Sequence, residues 1–233
     1  MPHDDSEWVR NRRHFLKTAL AGAASGVAAR AGLRLPSLDS PAPHRGLPPD
    51  AALKELAAGN RRFVANQLSS INEDLNMLKQ RTAEKQQPFA GVLSCADSRV
   101  PVELVFDQSI GQLFVARIAG NIVTPEIIGS LEYGVAVLGI SAVLVLGHSH
   151  CGAVKAAMTT DAVPGQISSL YPHLRPAVEQ SGGELAKAVA LNATLQAELL
   201  RTSSTVIRKA VEGGAVKVAS GVYDLNTGRV ALT

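Results

Sequence analysis

Two short segments hold most of the chemistry available to this chain. Its only cysteines are Cys95, in Cys95-Ala96-Asp97-Ser98-Arg99, and Cys151, in Gly147-His148-Ser149-His150-Cys151-Gly152. Two thiolates and an imidazole make a ligand set for a borderline-soft dication, zinc above all, and leave one position for water, substrate or a carboxylate. In an exported chain a disulfide between the same cysteines is the competing reading. The neighbouring residues favour the metal: Asp97 and Arg99 follow the first thiol, and two histidines precede the second. Ser98 has no His-Asp pair near it in sequence to make it a nucleophile. A Gly-x-Gly-x-x-Gly phosphate loop is absent.

The elements that must bring these segments together follow from hydrophobic periodicity. Apolar runs predict strands over 89–95, 112–118 and 142–147, with a helix over about 127–138 between the last two. Upstream, helical spacing of Leu53, Leu56, Ala57, Phe63 and Val64 predicts a helix over 50–67, with Asp50 placed to cap it. A second helix is expected over 74–86, ending before Pro88. A long helical region over 184–212 closes on Gly213-Gly214, and strands over 215–223 and 229–232 turn at Asn226-Thr227-Gly228. Alternating strands and helices predict one α/β domain with a mostly parallel central sheet, flanking helices and an antiparallel C-terminal edge strand. Cys95 ends the first strand and His148 follows the third. Both ligand segments then emerge at the carboxyl edge of the sheet, where open parallel sheets build their sites.

Composition narrows the class of partner. Of 233 residues, 46% are hydrophobic, 18% charged and only 4% aromatic, so the interior is built from small aliphatic side chains. The formal charge of +3 is concentrated at the start. Residues 1–31 hold five basic and three acidic groups, which leaves 18 against 17 in the rest. No concentrated basic face is present, so nucleic acid is not an expected partner. No run of eighteen strongly apolar residues occurs, so no transmembrane helix is expected.

The motifs resemble those of the β-class carbonic anhydrases over about residues 51–224. The resemblance rests on the two cysteine segments, about fifty residues apart and in this order. Supporting it are Gln112-Leu113-Phe114-Val115-Ala116-Arg117, Ala119-Gly120-Asn121 and Gly129-Ser130-Leu131-Glu132-Tyr133. It implies that Cys95, His148 and Cys151 bind Zn2+, with His150 outside the ligand set. Zinc would lower the pKa of a bound water and supply the hydroxide that attacks carbon dioxide, giving bicarbonate and a proton. Asp97 would orient that hydroxide, held off the metal by Arg99, or become a fourth ligand in a closed state. Gln108 resembles a substrate-orienting glutamine of part of the family. Members regulated by bicarbonate tend to carry tryptophan three residues before the first cysteine. Val92 stands there in this chain, which favours a constitutively open site. The family forms dimers, so a homodimer or higher homo-oligomer is implied. Two other readings share the ligands: a relative with purely structural zinc, and a hydrolase of carbonyl sulfide or carbon disulfide. Intact Asp97 and Arg99 favour carbon dioxide chemistry over the structural reading.

The first 31 residues resemble a twin-arginine export signal: Arg12-Arg13-His14-Phe15-Leu16-Lys17, then a weakly apolar Ala/Gly stretch. A Pro-rich linker over 32–49 would join it to a catalytic domain over 50–233. The route carries folded proteins, so the metal could enter in the reducing cytoplasm before delivery to the periplasm or cell-envelope space. Replacing Arg12 and Arg13 with lysine should trap a folded precursor in the cytoplasm, read by fractionation and immunoblot. Undiminished export would point to another route. Trp8 is the only tryptophan, so a processed protein should also lack tryptophan fluorescence.

Overall fold

The computed structural model describes residues 46–70, 73–159 and 163–233. The expected leader lies outside the described residues. Of the expected linker only 46–49 are described, and Pro49 already opens the first helix. Five strands form one sheet: β1 (Ala90–Ser94), β2 (Leu113–Arg117), β3 (Ala142–His148), β4 (Lys217–Tyr223) and β5 (Val230–Leu232), in the order β2-β1-β3-β4-β5. β1 runs parallel to β2 and β3, and β3 parallel to β4, while β5 is antiparallel to β4. The chain leaves β1 toward β2 on one side and leaves β3 toward β4 on the other. A crevice opens where neighbouring strands send their connections in opposite directions. Here that place is the carboxyl end of β1 and β3.

Every residue of β1 and β3 is buried. Their alternation divides the core between the two faces of the sheet. Leu93, Val143 and Val145 pack with Ile127, Leu131, Leu200 and Ile207 on one face. Ala90, Val92, Ala142, Leu144 and Leu146 pack with Leu56 and Phe106 on the other.

The helices follow the expected positions with local corrections. α1 (Pro49–Val64) begins at a proline, whose missing N–H is harmless in a first turn. Asp50 therefore caps nothing and instead pairs with Lys217 at the start of β4. α2 (Leu75–Thr82) is shorter than expected, and Asp74 caps it by accepting from the N–H groups of Asn76 and Met77. A short α3 (Val102–Val105) follows β1. α4 (Pro125–Tyr133) starts at a Thr124 cap and widens into one π turn over Gly134–Leu138, which closes on Gly139 at a left-handed φ of 75°. Like α3, two further helices were not anticipated: α5 (Gly152–Ala157) and α6 (Tyr171–Gln180), whose Val154 and Leu174 pack in one cluster with Cys95 and Cys151. The long C-terminal helix is two helices, α7 (Leu185–Ser203) and α8 (Thr205–Glu212). Buried Ser204 turns extended between them, accepts from Ile207 N and donates to Glu132.

One polar cluster ties α1 to the loops beneath it. Asp107 is buried in the turn after α3, and its carboxylate accepts five hydrogen bonds, from Arg62 Nε and from the N–H and hydroxyl of both Ser69 and Ser70. Burial raises its pKa, but Arg62 and the two serines together overcome that and hold it well below its ordinary 3.8. A depressed folded-state pKa means that the stabilisation is complete above the unfolded value and disappears as pH falls. Asp107→Asn should cost about 3 kcal/mol near neutral pH, because it strips the charge from a buried, paired group. The gap between wild type and variant should narrow steadily below about pH 4. Denaturant titrations over that range check both the size and the sign.

Candidate metal centre

Three ligand atoms converge in the crevice. Cys95 directly follows β1, His148 is the last residue of β3, and Cys151 directly precedes α5. All three are buried, and their ligand atoms lie within 4.8 Å of one another. Both cysteines are free thiols, so the disulfide reading is set aside. His148 is oriented by its other ring nitrogen, as Nδ1 lies 3.0 Å from the carbonyl of Ser149. That contact makes Nδ1 the protonated nitrogen and leaves a lone pair on Nε2. Nε2 is buried and has no hydrogen-bond partner among the described residues. A buried acceptor left unmatched beside two thiols fits a cation better than it fits an apolar core. The Ser149 segment is itself held, through Ser149 N to Tyr223 O and Leu225 N to the Ser149 hydroxyl.

The thiols are electrostatically unequal. Hydrogen bonding with Cys151, opposed by burial and helped by His148 and the Gly120 N–H, pulls the Cys95 thiol well below its ordinary value. Cys151 is pushed up by the Cys95 sulfur and by burial, and the N–H groups at the start of α5 offset this only in part. This is the pattern of two sulfurs sharing a dry site, where ionising one opposes ionising the other. A dication between them removes that restraint, because it stabilises both thiolates.

Asp97 stands at the edge of this group. Arg99 grips it with Nε on Oδ1 at 3.0 Å and Nη2 on Oδ2 at 2.8 Å, and the Arg99 N–H adds a third bond at 2.9 Å. Chiefly through the Arg99 side chain, its carboxyl is held well below the usual carboxylate range. Asp97 Oδ2 lies 3.8 Å from His148 Nε2. Arg117, from the end of β2, binds the carbonyls of both Cys95 and Asp97 and so fixes the backbone that presents them.

With this geometry in place, known proteins match in sequence and in fold. A model of the carbonic anhydrase family matches residues 90–230. Carbonic anhydrase 2 of Mycobacterium tuberculosis is 33% identical over 197 residues, covering 79% of this chain and 92% of that protein. The chain belongs to the carbonic anhydrase family. The β-carbonic anhydrase of Coccomyxa, solved in complex with acetazolamide, is 27% identical with a TM-score of 0.62, over 77% of this chain and 85% of that one. A tetrameric β-carbonic anhydrase of Sordaria macrospora shares the fold, with a TM-score of 0.63 at 22% identity over 78% of this chain and 96% of that one. The enzyme is thus a β-class carbonic anhydrase, a lyase that hydrates carbon dioxide.

The crevice brings together Cys95, His148, Cys151, Asp97 and Arg99. It does not gather Gln108 with them. The Gln108 amide donates to Phe106 O and approaches Glu55, in a cleft of about 280 Å³ that Arg62 and Asp107 also line. His150 is exposed, with a left-handed φ of 55°, and lies outside the triad. Two contacts escaped the sequence reading: Arg117 on the carbonyls of the 95–97 loop, and the Gly120 N–H, which donates to Cys95 Sγ at 3.3 Å. Both residues lie in stretches that support the resemblance, at the end of β2 and just after it, but nothing in the sequence pointed to these contacts. Cys151→Ser would replace a soft candidate ligand with a hard one in a set of three. Elemental analysis should give about one zinc per wild-type chain and far less in the variant, together with lower thermal stability. A fully zinc-loaded variant would remove Cys151 from the ligand set.

Proposed function

We propose that the enzyme hydrates carbon dioxide with a zinc ion held by Cys95, His148 and Cys151, and with Asp97 and Arg99 controlling the remaining position. The observation that carries this reading is the buried, unmatched Nε2 of His148 within 4.8 Å of two thiols. When bound, zinc supplies a Lewis acid that makes water a nucleophile near neutral pH. The chain supplies the rest. Ile122, Val154 and Val189 pack around the sulfurs and keep them from competing water. Asp97, kept ionised by Arg99, accepts a hydrogen bond from the reacting water and turns its lone pair toward the carbon. An ionised Asp97 accepts but cannot donate, so it discriminates the orientation of that water.

The same reading assigns Arg99 a second task. A carboxylate is a competent zinc ligand, and Asp97 Oδ2 already lies 3.8 Å from a ligand nitrogen. The three Arg99 bonds hold it back, and Val92 in place of tryptophan suits a site that stays open. Gln108 is proposed to orient substrate, and its amide is held in place by Phe106 and Glu55. A homo-oligomer is supported by the half-buried apolar edge of β2, which is an outer strand of the sheet, and by the tetrameric Sordaria relative. Delivery to the periplasm or cell-envelope space by the twin-arginine-like leader completes the proposal.

The test is stopped-flow carbon dioxide hydration run beside a zinc measurement. Arg99→Ala should keep zinc and the fold while losing about a hundredfold or more in hydration, because the released carboxylate competes with water. Arg99→Lys should recover little, since an ammonium cannot make the two-pronged grip. Near-wild-type turnover of Arg99→Ala at full zinc would refute the gate. Loss of zinc would make Arg99 structural.

A further inference from the structure

Gly120 and Asn121 are consecutive residues with positive φ, 75° and 44°. A left-handed asparagine beside a left-handed glycine does not hold its shape unaided, and such strain persists only where surroundings impose it. The loop matters because its Gly120 N–H is the donor to Cys95 Sγ. What imposes the shape lies on α7. Asn192 and Gln196, one helical turn apart, are both buried in an otherwise apolar face formed by Ala188, Val189, Ala193 and Ala197.

The four polar atoms of their two side-chain amides are all committed. Gln196 Oε1 accepts from Val123 N at 2.7 Å, so its Nε2 is free to donate to His173 O at 3.0 Å and to Asn192 Oδ1 at 3.3 Å. With Oδ1 occupied, Asn192 Nδ2 donates to Gly120 O at 2.8 Å. The loop is therefore gripped at both ends, at Gly120 and at Val123, and neither amide can flip without breaking the chain of bonds. Leu174 closes the remaining side, since a Cβ on Gly120 would meet its Cδ2 at 3.0 Å.

We propose that Asn192 and Gln196 are positioning residues for the metal centre: they hold Gly120 so that its N–H bonds the Cys95 sulfur. That bond draws electron density from one thiolate and fixes its direction, which is how groups behind a ligand tune a metal site. The inference rests on the reading of Cys95 as a zinc ligand. It adds two residues that touch neither metal nor substrate.

The test uses the full chain loaded with zinc, or with cobalt for spectroscopy. Asn192→Leu keeps the volume and removes the donor to Gly120; Gln196→Met acts one bond further away. Zinc loss to a chelator should accelerate about tenfold in Asn192→Leu and less in Gln196→Met. The thiolate-to-cobalt charge-transfer band should move to lower energy in the same order, because a sulfur without its N–H bond is the stronger electron donor. Leu200→Ala, a cavity variant on the same helix, should lower thermal stability without moving either readout. The proposal is overturned if both amide variants keep the wild-type zinc-loss rate and band position, or if Leu200→Ala shifts them equally. If Asn192→Leu does not fold, Gln196→Met decides by the same two readouts. Wild-type protein without stoichiometric zinc would instead refute the ligand assignment itself.

Discussion

A buried imidazole nitrogen with no hydrogen-bond partner among the described residues, set close to two thiols, is the constraint around which this molecule is arranged. Such a group is costly in an apolar interior unless a cation meets it. Three features of the fold serve that meeting. β1 and β3 are neighbours in parallel register, so Ser94 pairs with Leu146 and the two chain exits lie side by side. The connections then diverge, one toward β2 and one toward β4, and leave the crevice open. The Ser149 carbonyl selects the tautomer of His148. Each candidate ligand stands at a strand end or a helix start, where rigid elements define its position better than a long loop could.

Around the ligands the charges are graded from dry to wet. The thiols and imidazole are buried, Asp97 is mostly covered, and the Arg99 side chain is 54% exposed. An exposed ion pair ordinarily contributes little. This one differs in geometry rather than in burial, because two guanidinium contacts and one backbone contact fix a single carboxylate orientation. Its value is directional: it decides where the Asp97 lone pairs point. Arg117 acts on the same loop from within, on carbonyls that no side chain of the loop could restrain.

Much of this was legible in sequence because apolar runs in a parallel sheet are nearly continuous, and the polar residue that ends such a run stands out. Cys95 and His148 both end a run, and the strands fell within one or two residues of expectation. What was not legible depended on single side chains. Ser204 interrupts a helical period without interrupting its hydrophobic pattern, and only its hydroxyl on Ile207 N splits the helix. α6 carries Pro172 in its first turn and Pro176 inside, so its propensity is poor. It is held by burial of Leu174 and Ala177. Gln108 illustrates the limit for sites: the residue type was visible, but its engagement by Phe106 and Glu55 was not.

Buried amides are the least readable group of all, and here they bear on function most indirectly. On a helical wheel, Asn192 and Gln196 look like polar interruptions of a core face, a pattern that propensity alone counts against a helix. In three dimensions they satisfy Gly120 O and Val123 N, backbone groups of a loop that has no ladder of its own. An alanine face would have packed as well against the sheet but would have left those groups unmatched. The amides of α7 meet those groups in a loop that takes two successive left-handed residues and brings a peptide N–H to the Cys95 sulfur. The strain is local to the loop. Its restraint is supplied by a helix more than seventy residues later in the chain.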